Sequence, residues 1–258
     1  MPIIPVNGLS LHAQEMNPAG GRTVVLIHGL FSNLAVYYFH IAPLLAQHHH
    51  VVMYDLRSHG LSQSVTTGYG LDTMADDFLA LLDACGLNEV DVVGYSFGGL
   101  VALNCAIRFP NRVGKVAVID APDPADQRAR DIIDIYSREF LENYLTNVAD
   151  TTRMRMGKRQ FEKNHRKYTF LFHQTSIKAD MLADEHFLSE APLGRIASCL
   201  LLYGRSSNCL HTGYALRERI GNARLKILEG DHNLPVQQPE QVGRALSEFL
   251  TPLPIAHG

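Results

Sequence analysis

Several features that would mark a particular function are scarce in this chain. Its four cysteines, Cys85, Cys105, Cys199 and Cys209, include no C-x-x-C pair. Zinc knuckles and redox dithiols need such spacing, so no metal or other cofactor is expected, and the thiols read as free in a reducing compartment. The net charge is only −3, which gives no ground for binding nucleic acid or an anionic membrane surface. No apolar run approaches the roughly 20 residues that span a bilayer. The segment Met1-Pro2-Ile3-Ile4-Pro5-Val6-Asn7 lacks a basic stretch followed by a long apolar one, so a secretory signal is not expected. Together these absences point to a cytoplasmic chain whose partner is a small molecule.

What is present favours a packed α/β architecture. The 258 residues, 46% hydrophobic and 19% charged, suffice for one large domain or two small ones with ample core. Short apolar runs at Gly8–Ala13, Thr23–Ile27, Val51–Tyr54, Glu89–Val93, Val116–Ile119, Cys199–Tyr203 and Arg224–Leu228 read as strands. Helical patterns at Val36–Gln47, Thr73–Cys85, Phe97–Phe109, Gly213–Ile220 and Pro239–Leu250 lie between or after them. Such alternation implies a doubly wound, mostly parallel sheet with ligands at the C-terminal strand ends. One stretch breaks the rhythm: from 124 to 193 there is no strand pattern, while Ile132–Leu145 and Phe161–Phe172 look helical. This predicts a core of 1–123 and 194–258 with a helical cap of 124–193 inserted between core strands. The run His48-His49-His50 reads as a solvated loop before a strand, not a metal site.

The most informative motif is Gly94-Tyr95-Ser96-Phe97-Gly98, set between a strand and a helix. A serine is a poor nucleophile until a base takes its proton, so how it is presented decides whether it reacts. Small residues on both sides permit a sharp strand-to-helix turn that exposes the hydroxyl and aims backbone N–H groups at a nascent oxyanion. After an earlier strand, His28-Gly29-Leu30-Phe31-Ser32 offers a second donor, which makes Leu30 and Phe97 the expected oxyanion pair, with Phe31 as the near alternative. His28 is expected to bond nearby loop backbone, and the charged groups of Asp55-Leu56-Arg57-Ser58-His59-Gly60 to fix their own loop. Among the 13 histidines, His232 stands out. Gly230-Asp231-His232 follows the last strand pattern, which delivers its imidazole to the sheet edge where Ser96 lies.

In their order, His28-Gly29, Asp55-x-Arg57-x-His59-Gly60-x-Ser62, Gly94-x-Ser96-x-Gly98-Gly99, Arg108-Phe109-Pro110 and Gly230-Asp231-His232 resemble the α/β-hydrolase superfamily. The resemblance extends to the small bacterial esterase group typified by YbfF, through His28–Ser32, Ile119-Asp120-Ala121-Pro122 and Gly204-Arg205-Ser206-Ser207. It implies an α/β-hydrolase fold and a serine esterase acting through an acyl-enzyme on Ser96. The third member of a triad then needs attention, because Ser207 stands where most of the superfamily carries its acid. A hydroxyl orients an imidazole but supplies no charge to stabilise imidazolium. Asp120, at the end of the strand beside that of Ser96, is the acid the resemblance implies, with Ser207 assisting His232. Asp231 and Asp123 remain rivals.

Short-to-medium acyl esters are the expected substrates. The cap residues Arg153, Arg155, Lys158, Arg159, Lys163, Arg166 and Lys167, against Glu162, read either as a solvated helix face or as a basic patch for an acyl-CoA thioester. The absence of tryptophan, and serine rather than aspartate as nucleophile, argue against dehalogenase chemistry. A non-hydrolytic receptor on the same fold is the remaining alternative.

Overall fold

In this computed structural model, residues 2–134, 138–143, 146 and 157–251 are described. Eight strands form one sheet in the order β1-β2-β4-β3-β5-β6-β7-β8. They are β1 (Ile3–Val6), β2 (Leu9–Met16), β3 (Gly21–Ile27), β4 (His49–Tyr54), β5 (Val90–Tyr95), β6 (Val113–Ile119), β7 (Cys199–Gly204) and β8 (Ala223–Leu228). Pairing is antiparallel for β1–β2 and β2–β4 and parallel for all the rest. The chain starts its parallel strands at β3, crosses to β4 on one side, then returns to β5 on the other. That reversal opens a crevice beyond the C-terminal ends of β3 and β5, the usual ligand position in open α/β sheets.

Each central strand is buried on both faces, so its sequence is continuously apolar while its side chains still alternate. Val90 and Val92 enter one core, with Phe78, Leu82 and Val101, whereas Val93 and Tyr95 enter the other, with Ile41, Leu45 and Leu246. The first core is covered by α3 (Leu71–Ala84) and α4 (Phe97–Arg108), and the second by α1 (Ala35–Tyr38), α2 (Ile41–Leu45) and the C-terminal helix Pro239–Leu250. Each fully buried Leu, Val or Phe side chain contributes about 1.5–3 kcal/mol relative to exposure.

Three local features depart from the sequence pattern. The expected helix Val36–Gln47 is two short helices, because Pro43 has no N–H and its ring clashes with the carbonyl four residues back, which is tolerated only in a first turn. Strand β1 is additional. Asn7 and Gly8, with φ of 47° and 77°, form the hairpin turn to β2, and Pro5 is acceptable on an edge strand. His49 and His50 belong to β4 rather than to a solvated loop; His49 is buried, and His50 meets Glu15 at 2.9 Å.

Between β6 and β7 the described residues contain helices and no strand: α5 (Gln127–Asp134), α6 (Lys158–His173), α7 (Ile177–Ala183) and α8 (Phe187–Glu190). This segment rests on loops at the C-terminal sheet edge. Asp180 and Asp184 accept the Tyr69 and Leu71 N–H groups at 2.7 Å, placing negative charge at the N-terminus of α3. Lys167 donates to the Gly60 carbonyl at 2.6 Å. Among the described residues no helix is long and apolar enough to cross a membrane.

Candidate active site

Ser96 occupies the turn between β5 and α4 with φ 55° and ψ −123°, a conformation costly for any residue with a Cβ. The surrounding glycines explain how the chain tolerates it. A Cβ on Gly94 would overlap the Gly98 carbonyl, so the turn closes only without one. A Cβ on Gly29 would lie 2.8 Å from that of Ser96, so glycine lets the loop after β3 lie against the serine. Leu30 follows Gly29 in that loop, and Phe97 heads α4, where its N–H has no intrahelical acceptor. Neither N–H has an acceptor among the described residues.

The loops after β6 and β8 complete the constellation. His232 Nε2 lies 2.9 Å from Ser96 Oγ, and its Nδ1 lies 2.7 Å from Asp120 Oδ2. Asp120 is fully buried and also has a positive φ, 51°, which turns its carboxylate back over the sheet edge. Its Oδ1 accepts the Gly204 N–H at 2.9 Å and its Oδ2 the Ser207 hydroxyl at 2.5 Å. A carboxylate so bound has one orientation, and through Nδ1–H it fixes the imidazole tautomer with a lone pair at Nε2. Burial of the ring pulls the His232 pKa down. The Asp120 hydrogen bond and charge, together with the neighbouring Cys209 sulfur, pull it up by more, so the net shift is upward from 6.5.

Ser96, His232 and Asp120 are thus brought into one hydrogen-bonded line. Ser207 touches Asp120 rather than the imidazole, so any assistance it gives His232 passes through the carboxylate. The rival acids are engaged elsewhere. Asp231 accepts from the Asn233 N–H at 2.7 Å, and Asp123 from the Ala125 N–H at 2.9 Å. His28 holds the loop: its Nδ1–H donates to Gly29 O at 2.7 Å and its Nε2 accepts from Leu56 N–H at 3.0 Å. Burial lowers its pKa. Asp55 accepts from Leu34 and Leu61 N–H groups, both at 2.8 Å, as befits a loop anchor.

A family model of the alpha/beta hydrolase fold matches residues 22–167, more than half of the chain. The chain belongs to the α/β-hydrolase fold family. Curated relatives include a protein named carbamate hydrolase RutD from Caulobacter segnis, 36% identical over 44% of this chain and 45% of that one. The chain spans about half or less of the length of the first curated relatives it matches. A RutD from Caulobacter sp. strain K31 is 26% identical over 95% of this chain and 97% of its own. Among solved structures, the enol-lactonase from Burkholderia xenovorans LB400 superposes with a TM-score of 0.76 at 21% identity, covering 97% of this chain and all of that one. At that identity the likeness concerns the fold alone.

Two site features of this α/β hydrolase escaped the sequence reading. Cys209 Sγ sits 3.7 Å from His232 Nδ1; its only sequence signal is its place two residues after Ser207, in the loop after β7. Phe31, with φ 57°, packs its ring on Phe140, Tyr168 and Phe172 at centroid distances of 5.8, 5.1 and 5.3 Å, tying the loop of Leu30 to the helical segment. The basic run is less uniform than its sequence. Lys158, Arg159, Lys163 and Arg166 line one surface cleft, Lys167 turns inward, and Glu162 pairs with Arg138 at 2.7 Å. Arg153 and Arg155 lie outside the described residues.

Proposed function

We propose that this α/β hydrolase is a serine esterase that cleaves carboxylic esters of short-to-medium acyl length through an acyl-enzyme on Ser96. The observation that carries this reading is the line Ser96 Oγ–His232 Nε2–Asp120, at 2.9 and 2.7 Å. Oγ attacks the ester carbonyl carbon as Nε2 takes its proton. The Leu30 and Phe97 N–H groups receive the oxyanion, each such donor being worth about 2.7–4 kcal/mol in the transition state. His232 then protonates the departing alkoxide, and a water activated by the same nitrogen releases the acid. Asp120 keeps the tautomer and stabilises the imidazolium, while Ser207 and Gly204 hold Asp120.

The described residues of the segment 124–193 serve as a cap over this site, resting on the loop that carries Gly60 and on the start of α3. Phe31, beside Leu30, packs its ring on Phe140, Tyr168 and Phe172, so an apolar cluster joins the loop of the oxyanion donor to the cap. Four free thiols fit a cytoplasmic setting. The names of the curated relatives favour a second reading, hydrolysis of a carbamate, whose carbonyl suits the same attack.

The deciding experiment is a p-nitrophenyl ester panel from acetate to dodecanoate, run beside a p-nitrophenyl carbamate and acyl-CoA thioesters. Ester turnover that peaks at short-to-medium chains and vanishes in Ser96→Ala supports the esterase. Preference for the carbamate or the thioester reassigns the substrate. No turnover on any, with thermal shift on ligand addition, replaces the enzyme with a receptor.

A further inference from the structure

We infer that Cys209, His232 and Asp120 form a binding site for a zinc-class divalent cation, and that occupancy of this site switches the esterase off. The binding half stands on geometry alone, whereas the switching half rests on the reading of Ser96 and His232 given above.

The three groups come from successive strand-end loops, after β6, β7 and β8, and their ligand atoms all lie within 4.8 Å of one another. Zinc bonds of about 2.0–2.3 Å at tetrahedral angles require ligand–ligand edges of about 3.3–3.6 Å. The Sγ–Nδ1 edge already measures 3.7 Å, and the Nδ1–Oδ2 edge of 2.7 Å is the one that must open, by about 0.6 Å on that zinc geometry. One sulfur, one imidazole nitrogen and one carboxylate oxygen suit zinc, while the thiol disfavours magnesium and calcium, which take oxygen ligands. The outer shell is also in place, since Gly204 N–H and Ser207 hydroxyl already orient the Asp120 carboxylate. Access comes from the histidine side. The His232 side chain is 32% exposed and Cys209 partly so, whereas Asp120 lies at the bottom, fully buried.

Proton accounting gives the consequence. On binding, the Cys209 thiol releases its proton to solvent and ligates as thiolate. The Nδ1 lone pair goes to the metal, so the neutral ring carries its single proton at Nε2. Nε2 then faces Ser96 Oγ as a donor and has no lone pair with which to take the serine proton. The inhibition is reversible, because no covalent bond to carbon is made.

The test has two readouts. In the first, zinc chloride is titrated against p-nitrophenyl acetate hydrolysis, with recovery on adding EDTA. Cys209→Ala is expected to need at least about tenfold more zinc for half-inhibition relative to its own metal-free rate. Cys85→Ala, which alters the exposed thiol elsewhere, is expected to behave as wild type. In the second, cobalt(II) replaces zinc and the thiolate-to-cobalt charge-transfer band is recorded in Ser96→Ala, which keeps all three ligands and needs no turnover. The band is expected there and expected to be absent from Ser96→Ala/Cys209→Ala, with Cys209→Ser as the substitute partner if alanine lowers the melting temperature. Equal zinc sensitivity in Cys209→Ala and wild type, or no cobalt–thiolate band in Ser96→Ala, overturns the proposal. A protein that shows the band but hydrolyses no ester overturns the switch and the esterase reading together, and leaves the metal site standing.

Discussion

Two aspartate–histidine pairs are built into this sheet with the same spacing, and only one of them faces a hydroxyl in a crevice. His12 Nδ1 lies 2.7 Å from Asp55 Oδ2, and His232 Nδ1 lies 2.7 Å from Asp120 Oδ2. Both aspartates are buried. In the first pair the far nitrogen of the imidazole meets the Gln14 amide at 3.2 Å, and the side chain is 4% exposed. Asp55 devotes its remaining acceptor capacity to the Leu34 and Leu61 N–H groups, tying β2 to the loops after β3 and β4. In the second pair the far nitrogen meets Ser96 Oγ and the side chain is 32% exposed. The contact itself is therefore uninformative. What separates an anchor from a candidate relay is the group at Nε2 and whether a substrate can reach it.

Substitutions at the two pairs should separate accordingly. The largest effect is expected for Ser96→Ala, with kcat on the best ester falling about a millionfold, since residues that act as a unit fail together. Its melting temperature should stay near that of wild type; retained hydrolysis would move the nucleophile elsewhere. Next, Asp120→Asn should lower kcat about ten-thousandfold. Its pH profile gives a signed check. Because His232 must be neutral to accept a proton and its pKa is raised, wild-type kcat/KM should fall as pH drops through a value above 6.5. Removing the Asp120 charge should move that acid limb to lower pH, and an unmoved limb would break the pairing.

Asp55→Ala should act on the other side of the comparison. Breaking a buried pair of this kind costs about 3–5 kcal/mol, read by urea unfolding. The folded fraction should keep a kcat near that of wild type, because Asp55 bonds His12, Leu34 and Leu61 and touches no member of the Ser96–His232–Asp120 line. A collapse of kcat at full stability would show that the two pairs differ less than their surroundings suggest. Smallest of all, Ser207→Ala removes one hydrogen bond to a charged group, about 1.5 kcal/mol, and should slow turnover roughly tenfold.

How legible each residue was follows from how local its constraint is. The Ser96 turn is encoded by glycines within two positions on either side, because a strand-to-helix reversal needs small residues at fixed offsets. The helix at Pro239–Leu250 and the strand at Cys199–Gly204 were readable for the same reason, from periodicity and apolar runs. Asp120 was harder. Its placement depends on β6 pairing in parallel with β5, and on a left-handed φ that an Asp-Ala-Pro string does not advertise. Cys209 carries no local signal for the site, since its meeting with His232 joins residues 23 positions apart through two different loops. Lys167 belongs in sequence to the same basic run as Lys163 and Arg166, but the Gly60 carbonyl that turns it inward belongs to a distant loop.

The amino-acid sequence by itself determined the alternation of strand and helix, the exposed serine turn and the histidine after the last strand. Each of these depends on residues a few positions apart, where backbone sterics and side-chain period act directly. Only the tertiary structure decided which carboxylate meets His232, that Ser207 reaches it through Asp120, and that a thiol stands beside the same nitrogen. Those contacts arise where strand ends meet along one sheet edge, and strand order is a property of the packed sheet rather than of any single segment.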